Sequence, residues 1–288
     1  MQALAMRPVR ARSGVRRLRE NRVAVGAAVG IAVLALLALL GPWLSPYTYD
    51  ALDWRHLAAA PGVTDSHWLG TDPLGRDLYV RTLYGLRLSL LIGVLATALS
   101  VGIGVAWGAL AGYAGGRTDS WMMRAVDVLY ALPYLFVVII LATVFGRGSI
   151  AMLLIAIGAV GWLTMARVVR GQTLSLKRRE FIEAARATGL GTAAILLRHI
   201  VPNLAGTVAV YATLTIPELI TYESFLSFLG LGVQEPLASL GSLINEGARQ
   251  MLTAPWMVLV PAGFLIALLL CFNLVGDGLR DALDPAAQ

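Results

Sequence analysis

The sequence predicts an all-α membrane protein with six transmembrane helices, and three observations carry that prediction. The 288-residue chain is 58% hydrophobic with 14% charged residues, against about 25% charged in a soluble domain, and its mean hydropathy is +0.73. Apolar windows of roughly 20 residues recur along it, each long enough to cross a hydrocarbon core of about 30 Å. Six such spans divide the connecting segments between two sides, and 17 of the 23 basic residues fall on one of them.

The first span, 23–44, follows seven arginines between Arg7 and Arg22. A basic start suits a signal peptide, but the apolar run is too long. It leads into Gly41-Pro42-Trp43-Leu44-Ser45-Pro46 rather than a small-residue cleavage site, so an uncleaved first helix is expected. Residues 1–22 then form a basic tail, and 23–86 hold the first helix and a long external segment. In that segment Pro46 and Pro61-Gly62 interrupt any helix, and Asp72 with Pro73 is expected to cap the next one. Trp68, Tyr79 and Tyr84 suit a membrane interface.

The second span, 87–112, is lined by small residues such as Gly93, Gly104 and Gly108, which allow close helix approach in lipid. After a turn at Gly112–Arg117, the third, 122–146, is expected to be capped at Asp119-Ser120, to carry Asp127, and to kink at Pro133. Gly146-Arg147-Gly148 makes a hairpin to the fourth, 149–168. The fifth, 204–231, contains Glu218 and Glu223, acids whose burial at membrane depth is a functional hypothesis by default. Three plainer readings compete with pathway lining by these acids: a boundary nearer water, a pair with an arginine, or a neutral acid packed in the bundle. Gln234-Glu235-Pro236 and Ser239-Leu240-Gly241 form an external re-entry before the sixth span, 254–277, and a tail at 278–288.

The polar stretch 166–203 lies between two apolar runs and reads as an extramembrane docking loop. It holds seven basic residues, the small Ala184, Ala185 and Ala187, the charge of Glu183, and Gly189 where a short helix would end with φ > 0. With the tail arginines, Arg117, Arg124 and Arg280 on the same side, the positive-inside rule places both termini and this loop in the cytoplasm. Topology and anionic-lipid attraction account for the net charge of +6 without nucleic acid.

Several chemistries are excluded. The single lysine, Lys177, stands in Leu-Lys-Arg, so no glycine-rich phosphate loop with its lysine exists. There is no His-Glu-x-x-His, one cysteine (Cys271) allows no intrachain disulfide or cysteine cluster, and the three histidines fall on opposite sides of the membrane. The expectation is no catalytic residue, no metal site, and no cofactor bound by this chain.

Glu183-Ala184-Ala185, Gly189 and Pro202 fall at the spacing of the EAA loop, which they resemble, in the membrane subunits of ATP-binding-cassette importers; the family's terminal Ile-x-Leu-Pro is His199-Ile200-Val201-Pro202 here. Gly70-Thr71-Asp72-(two residues)-Gly75-Arg76-Asp77, Glu223–Gly232 and Gly276-Asp277-Gly278-Leu279-Arg280-Asp281-Ala282-Leu283-Asp284-Pro285 resemble the second permease of the dipeptide and oligopeptide branch. Together these strings cover residues 67–285.

The resemblance implies a type I importer permease fold, with residues 87–277 as its transmembrane domain and the loop's two short helices docking on an ATPase. It implies as partners a homologous second permease, two ATPase subunits that bind ATP and magnesium, and an extracytoplasmic solute-binding protein, in a bacterial plasma membrane. Asp72, Arg76 and Asp77 either position a helix or help receive that binding protein. Asp127, Glu218 and Glu223 either line the pathway or hold the bundle together. Di- or oligopeptides are the implied cargo, with nickel, glutathione or modified peptides as alternatives. A self-powered carrier relaying protons through those three acids is the competing class, but it leaves the docking loop without purpose.

Overall fold

A computed structural model describes residues 16–62, 66–144 and 149–283. Arg7, Arg10, Arg12, the Gly146-Arg147-Gly148 hairpin and Asp284-Pro285 lie outside the described residues. The helices are α1 (Arg22–Leu40), α2 (Leu78–Ala114), α3 (Gly116–Ala131), α4 (Tyr134–Val144), α5 (Ile150–Leu176), α6 (Glu180–Ala187), α7 (Thr192–Ile195), α8 (Val201–Phe228), α9 (Leu240–Ala248) and α10 (Trp256–Leu283). Among the described residues, five helical stretches are long and apolar enough to span a membrane, and α3 with α4 makes a sixth candidate broken by an 87° bend. The expected third span is therefore two helices: Pro133 cannot donate a backbone hydrogen bond, and the chain turns there.

The central pair is α2 against α5. Gly104, Gly108 and Gly112 lie where α5 crosses close: a Cβ at Gly104 would stand 2.6 Å from the Met165 Cβ, one at Gly112 2.8 Å from the Thr173 Cβ, and one at Gly108 would meet the Ala166 carbonyl. Close packing of this kind replaces the hydrophobic drive that lipid removes. Helix α8 crosses α2, and α10 packs on α1 and α8. Short α9 is the expected re-entry, folded back between α8 and α10 and opened by a Ser239–Ser242 capping box.

Several predicted boundaries are corrected. Asp72 does not cap α2; Asp77 does, accepting from the Val80 amide at 2.9 Å, because Asp72-Pro73-Leu74-Gly75 closes on itself as a turn with Gly75 at φ +76°. The helix consequently starts at Leu78, a good two turns before 87. Asp119 is not an N-cap either. Gly115 and Gly116, both with positive φ, turn the chain so tightly that α3 begins at once, and the Asp119 amide already bonds the Gly115 carbonyl at 3.2 Å. Nor is all of 166–203 loop: α5 runs on to Leu176, and a π-helical turn at Leu196–Ile200 leads straight into α8. Pro202 sits in the first turn of α8, directly after the π-helical turn.

Candidate functional site

At the C-terminal end of α2, the segment between α5 and α8 forms a braced platform. Helix α6 is amphipathic, with Ile182 and Ala185 buried three residues apart, while Phe181, Glu183, Ala184 and Ala187 face outward. It ends as the sequence predicts. Gly189 has φ +81°, its amide bonds the Arg186 carbonyl at 2.9 Å, and the Leu190 amide reaches the Ala185 carbonyl at 3.2 Å, the paired bonds of a Schellman motif.

Behind this platform Ile182, Ala185, Ile195, Ile200 and Leu204 pack against Ala109, Met165 and Val169 of α2 and α5. The Arg186 guanidinium lies over the Tyr113 ring at 4.9 Å and donates to its hydroxyl at 3.2 Å, and Lys177 donates to the Gly112 carbonyl at 2.7 Å. The outer face keeps exposed apolar residues, Phe181 and Leu197, the latter 69% accessible. Among the described residues the Glu183 carboxylate has no side-chain partner.

A second constellation surrounds the α3–α4 break. Tyr130, Leu132, Tyr134, Gly161, Glu218 and Tyr222 line a cavity of about 210 Å³. Glu218 is exposed and accepts from the Tyr222 hydroxyl at 3.0 Å, and the Tyr134 ring lies 4.0 Å from that of Tyr222. Asp127 pairs with Arg167 at 2.8 Å, and Arg167 also covers the Tyr130 ring at 4.1 Å. Tyr130 thus lines the cavity with Glu218 while its ring carries Arg167, the partner of Asp127.

Glu223 is elsewhere. It has no exposed surface. One carboxylate oxygen accepts from Ser89 at 2.8 Å and the other from Ser227 at 2.7 Å, and the Leu240 amide reaches Ser89 at 3.3 Å. These bonds tie α2, α8 and α9 together, the packed alternative among the readings of this acid.

At the N-terminal end of α2, the Asp72 carboxylate accepts from Arg76 at 2.5 Å and from Arg81 at 2.7 Å. Arg76 reaches Glu235 at 3.1 Å and Arg81 reaches Glu246 at 3.0 Å, so the network links the segment before α2 to α9. Burial pushes the Glu246 carboxyl above the usual range, while the Arg81 and Arg76 guanidiniums pull it back. Asp77, besides capping α2, accepts from His67 Nδ1 at 2.8 Å. Asp72, Arg76 and Asp77 are all engaged within the chain, which favours positioning. Nearby, His56 and the Arg55 amide hold the Asp53 carboxyl down at about 2.

Residues 104–288 match the family described as the binding-protein-dependent transport system inner membrane component. This chain belongs to that family. Residues 11–61 match the N-terminal transmembrane domain of oligopeptide transport permease C. The permease is 53% identical over 270 residues, 94% of this chain and 89% of the relative, to the oligopeptide transport system permease protein OppC of Escherichia coli K12. It is 51% identical to OppC of Haemophilus influenzae, over 94% of this chain and 86% of the relative. Against the dipeptide transport system permease protein DppC of Bacillus subtilis the identity is 44%, over 94% and 84%.

Sequence reasoning found the permease's platform residues and its three acids but missed Ser89, Arg81 and Glu246. Arg81 stands nine residues after Asp72 and Glu246 is 165 residues beyond Arg81. No local spacing announces such pairs. An arginine four residues inside an apolar helix was the one available signal.

Proposed function

We propose that this multi-pass membrane protein is one of two homologous halves of an ATP-driven peptide importer, working without a catalytic residue of its own. The observation that carries the reading is the α6 platform: apolar and unpaired outside, braced to α2 and α5 behind. A face of that kind suits a partner that pushes, and a nucleotide-binding subunit that closes on ATP and magnesium would supply the push. The arginine asymmetry supports a cytoplasmic platform with both termini on that side. It follows that residues 45–77 face outward, toward a solute-binding protein.

In this reading Glu218 and the tyrosines around it lie along the route of the cargo, facing the second permease, and Glu223 holds the bundle. Two discrete packings of such a bundle would give alternating access. The names of the relatives support a di- or oligopeptide as cargo. A different solute such as nickel, glutathione or a modified peptide would enter through the same architecture.

The test is reconstitution of the complete transporter with Phe181→Ala, Leu197→Ala and the double variant. Loss of ATPase co-purification and of peptide uptake, at unchanged membrane level, is the expected result. Full uptake per molecule in the double variant would refute the docking role.

A further inference from the structure

The segment leading to α2 brings together a group of side chains that the transport reading leaves unused. Asp53, His56 and His67 each offer one donor atom, all three atoms lying within 4.8 Å of one another. We propose that these three residues form a binding site for a first-row divalent cation of the zinc class, outside the spans at the N-terminal end of α2. Two imidazole nitrogens and one carboxylate oxygen are the donor set such ions prefer over magnesium or calcium, which take all-oxygen sites.

The geometry of His67 carries the argument. Its Nδ1 faces the buried Asp77 carboxylate at 2.8 Å, and an ionised carboxylate only accepts, so Nδ1 holds the hydrogen. In the neutral ring Nε2 is then a bare lone pair, turned toward Asp53 Oδ2 at 3.4 Å. Two acceptors facing each other are reconciled by a proton or by a metal cation between them. The separation is long for a direct hydrogen bond but close to the edge of about 3.3 Å expected for two ligands at roughly 2.0–2.1 Å on a tetrahedral zinc. His56 Nδ1 approaches the same Asp53 oxygen at 2.8 Å, the contact of a shared proton that a cation would displace.

The surroundings are built for this. Asp77 behind His67 forms the carboxylate–histidine–metal relay that fixes a ligand's tautomer and ring orientation. Tyr47 stacks on the His67 ring at 4.1 Å, 14° from parallel. The other Asp53 oxygen is occupied by the Arg55 amide at 2.9 Å, leaving Oδ2 toward the histidines. The strand of chain carrying Asp53 and His56 is laced to Thr71 and Asp72 by the Ala58, Ala59 and Thr71 amides at 2.8–3.0 Å. Asp53 and His56 are partly exposed, so an ion can enter from solvent with water as its fourth ligand. Bound there, it would clip the segment before α2 to the Asp77 cap and, through the neighbouring Asp72, to Arg76 and Arg81.

The test uses the full-length chain without a histidine tag, in lipid nanodiscs, stripped with a chelator and titrated with cobalt(II) alone, then displaced with zinc(II). One cobalt per chain is expected, with the visible bands of a four- or five-coordinate nitrogen–oxygen site and release of protons on binding. Because loss of an outer-shell partner alone weakens metal sites about 10–100-fold, His56→Gln should weaken binding by about 100-fold or more. Asp53→Asn, also at a partly exposed position, should do the same, with both metal-free variants still folded and unfolding in a single cooperative transition. Wild-type affinity in both variants would place the ion elsewhere. Absence of stoichiometric binding in the wild type would leave a hydrogen bond rather than a metal between His67 and Asp53. Either outcome overturns the proposal.

Discussion

Ser89 of α2 donates its hydroxyl to Glu223 of α8 at 2.8 Å, and that bond helps close a carboxylate off from every exposed surface. An acid so enclosed cannot touch a solute without the bundle opening. Its bonds join α2, α8 and α9, with Ser227 satisfying its second oxygen.

Ser89→Ala therefore removes a donor from a buried acceptor and should destabilise the permease by about 1–3 kcal/mol. The measurement is thermal unfolding in detergent together with membrane level. Glu223→Gln keeps the size and one acceptor oxygen, so what inserts should transport at the wild-type rate per molecule. Abolished uptake at normal level would instead return Glu223 to the pathway.

Glu218 should behave in the opposite way. Because both side chains border the open cavity, Glu218→Gln and Tyr222→Phe should leave membrane level unchanged and stability within about 0.5 kcal/mol of wild type, as surface changes do. Peptide uptake should nevertheless fall about tenfold or more. Unchanged uptake in both variants would remove this cavity from the cargo route.

Gly189 sits at φ +81°, and a Cβ added there would meet nothing within 4 Å, so any penalty for substitution is conformational rather than steric. Gly189→Val should cost on the order of 1–3 kcal/mol locally and uncouple ATP hydrolysis from uptake. Gly189→Asn, which tolerates left-handed backbone, should recover most of the coupling. Equal activity for Val and Asn would mean that the end of α6 is not held in this conformation during transport.

Arg81 and Asp72 are each 1% exposed, and removing Arg81 takes from the buried carboxylate one of its two guanidinium partners, Arg76 being the other. Arg81→Met should destabilise the protein by about 1.5–3 kcal/mol, seen as lost membrane protein at the growth temperature. Asp72→Asn, which keeps shape and one acceptor, should cost less. The order of the two melting temperatures is the readout.

Orientation is checked by alkaline phosphatase fusions. A fusion at Thr188, within the platform, should be inactive, and one at Gly62 active. The reverse pattern would invert the proposed topology.

The spans were legible because hydropathy is a local quantity, and Gly189 was legible because a left-handed turn leaves few residue choices. The start of α2 was misplaced because Asp72-Pro73 and Asp77 both look like caps; Gly75 packing against the Asp53 backbone decides between them, and that contact spans more than twenty residues. The Asp72–Arg81–Glu246 and Ser89–Glu223 links were invisible for the same reason. Asp53 and His56 carry an i, i+3 hint of a shared ligand, but His67 joins them only once the Thr71 turn folds back.

Helix α2, 37 residues without a break, has one end in the Arg81 network and the other at Tyr113, where Arg186 ties on the platform. At a rise of about 1.5 Å per residue it is a stiff rod about 55 Å long, so a tilt of about 5° at one end carries the other through about 5 Å. Motion at the platform would thus arrive amplified and undamped at the opposite face, where the Arg81–Glu246 latch must either travel with the rod or let go. Which of the two happens depends on the stiffness of this one helix.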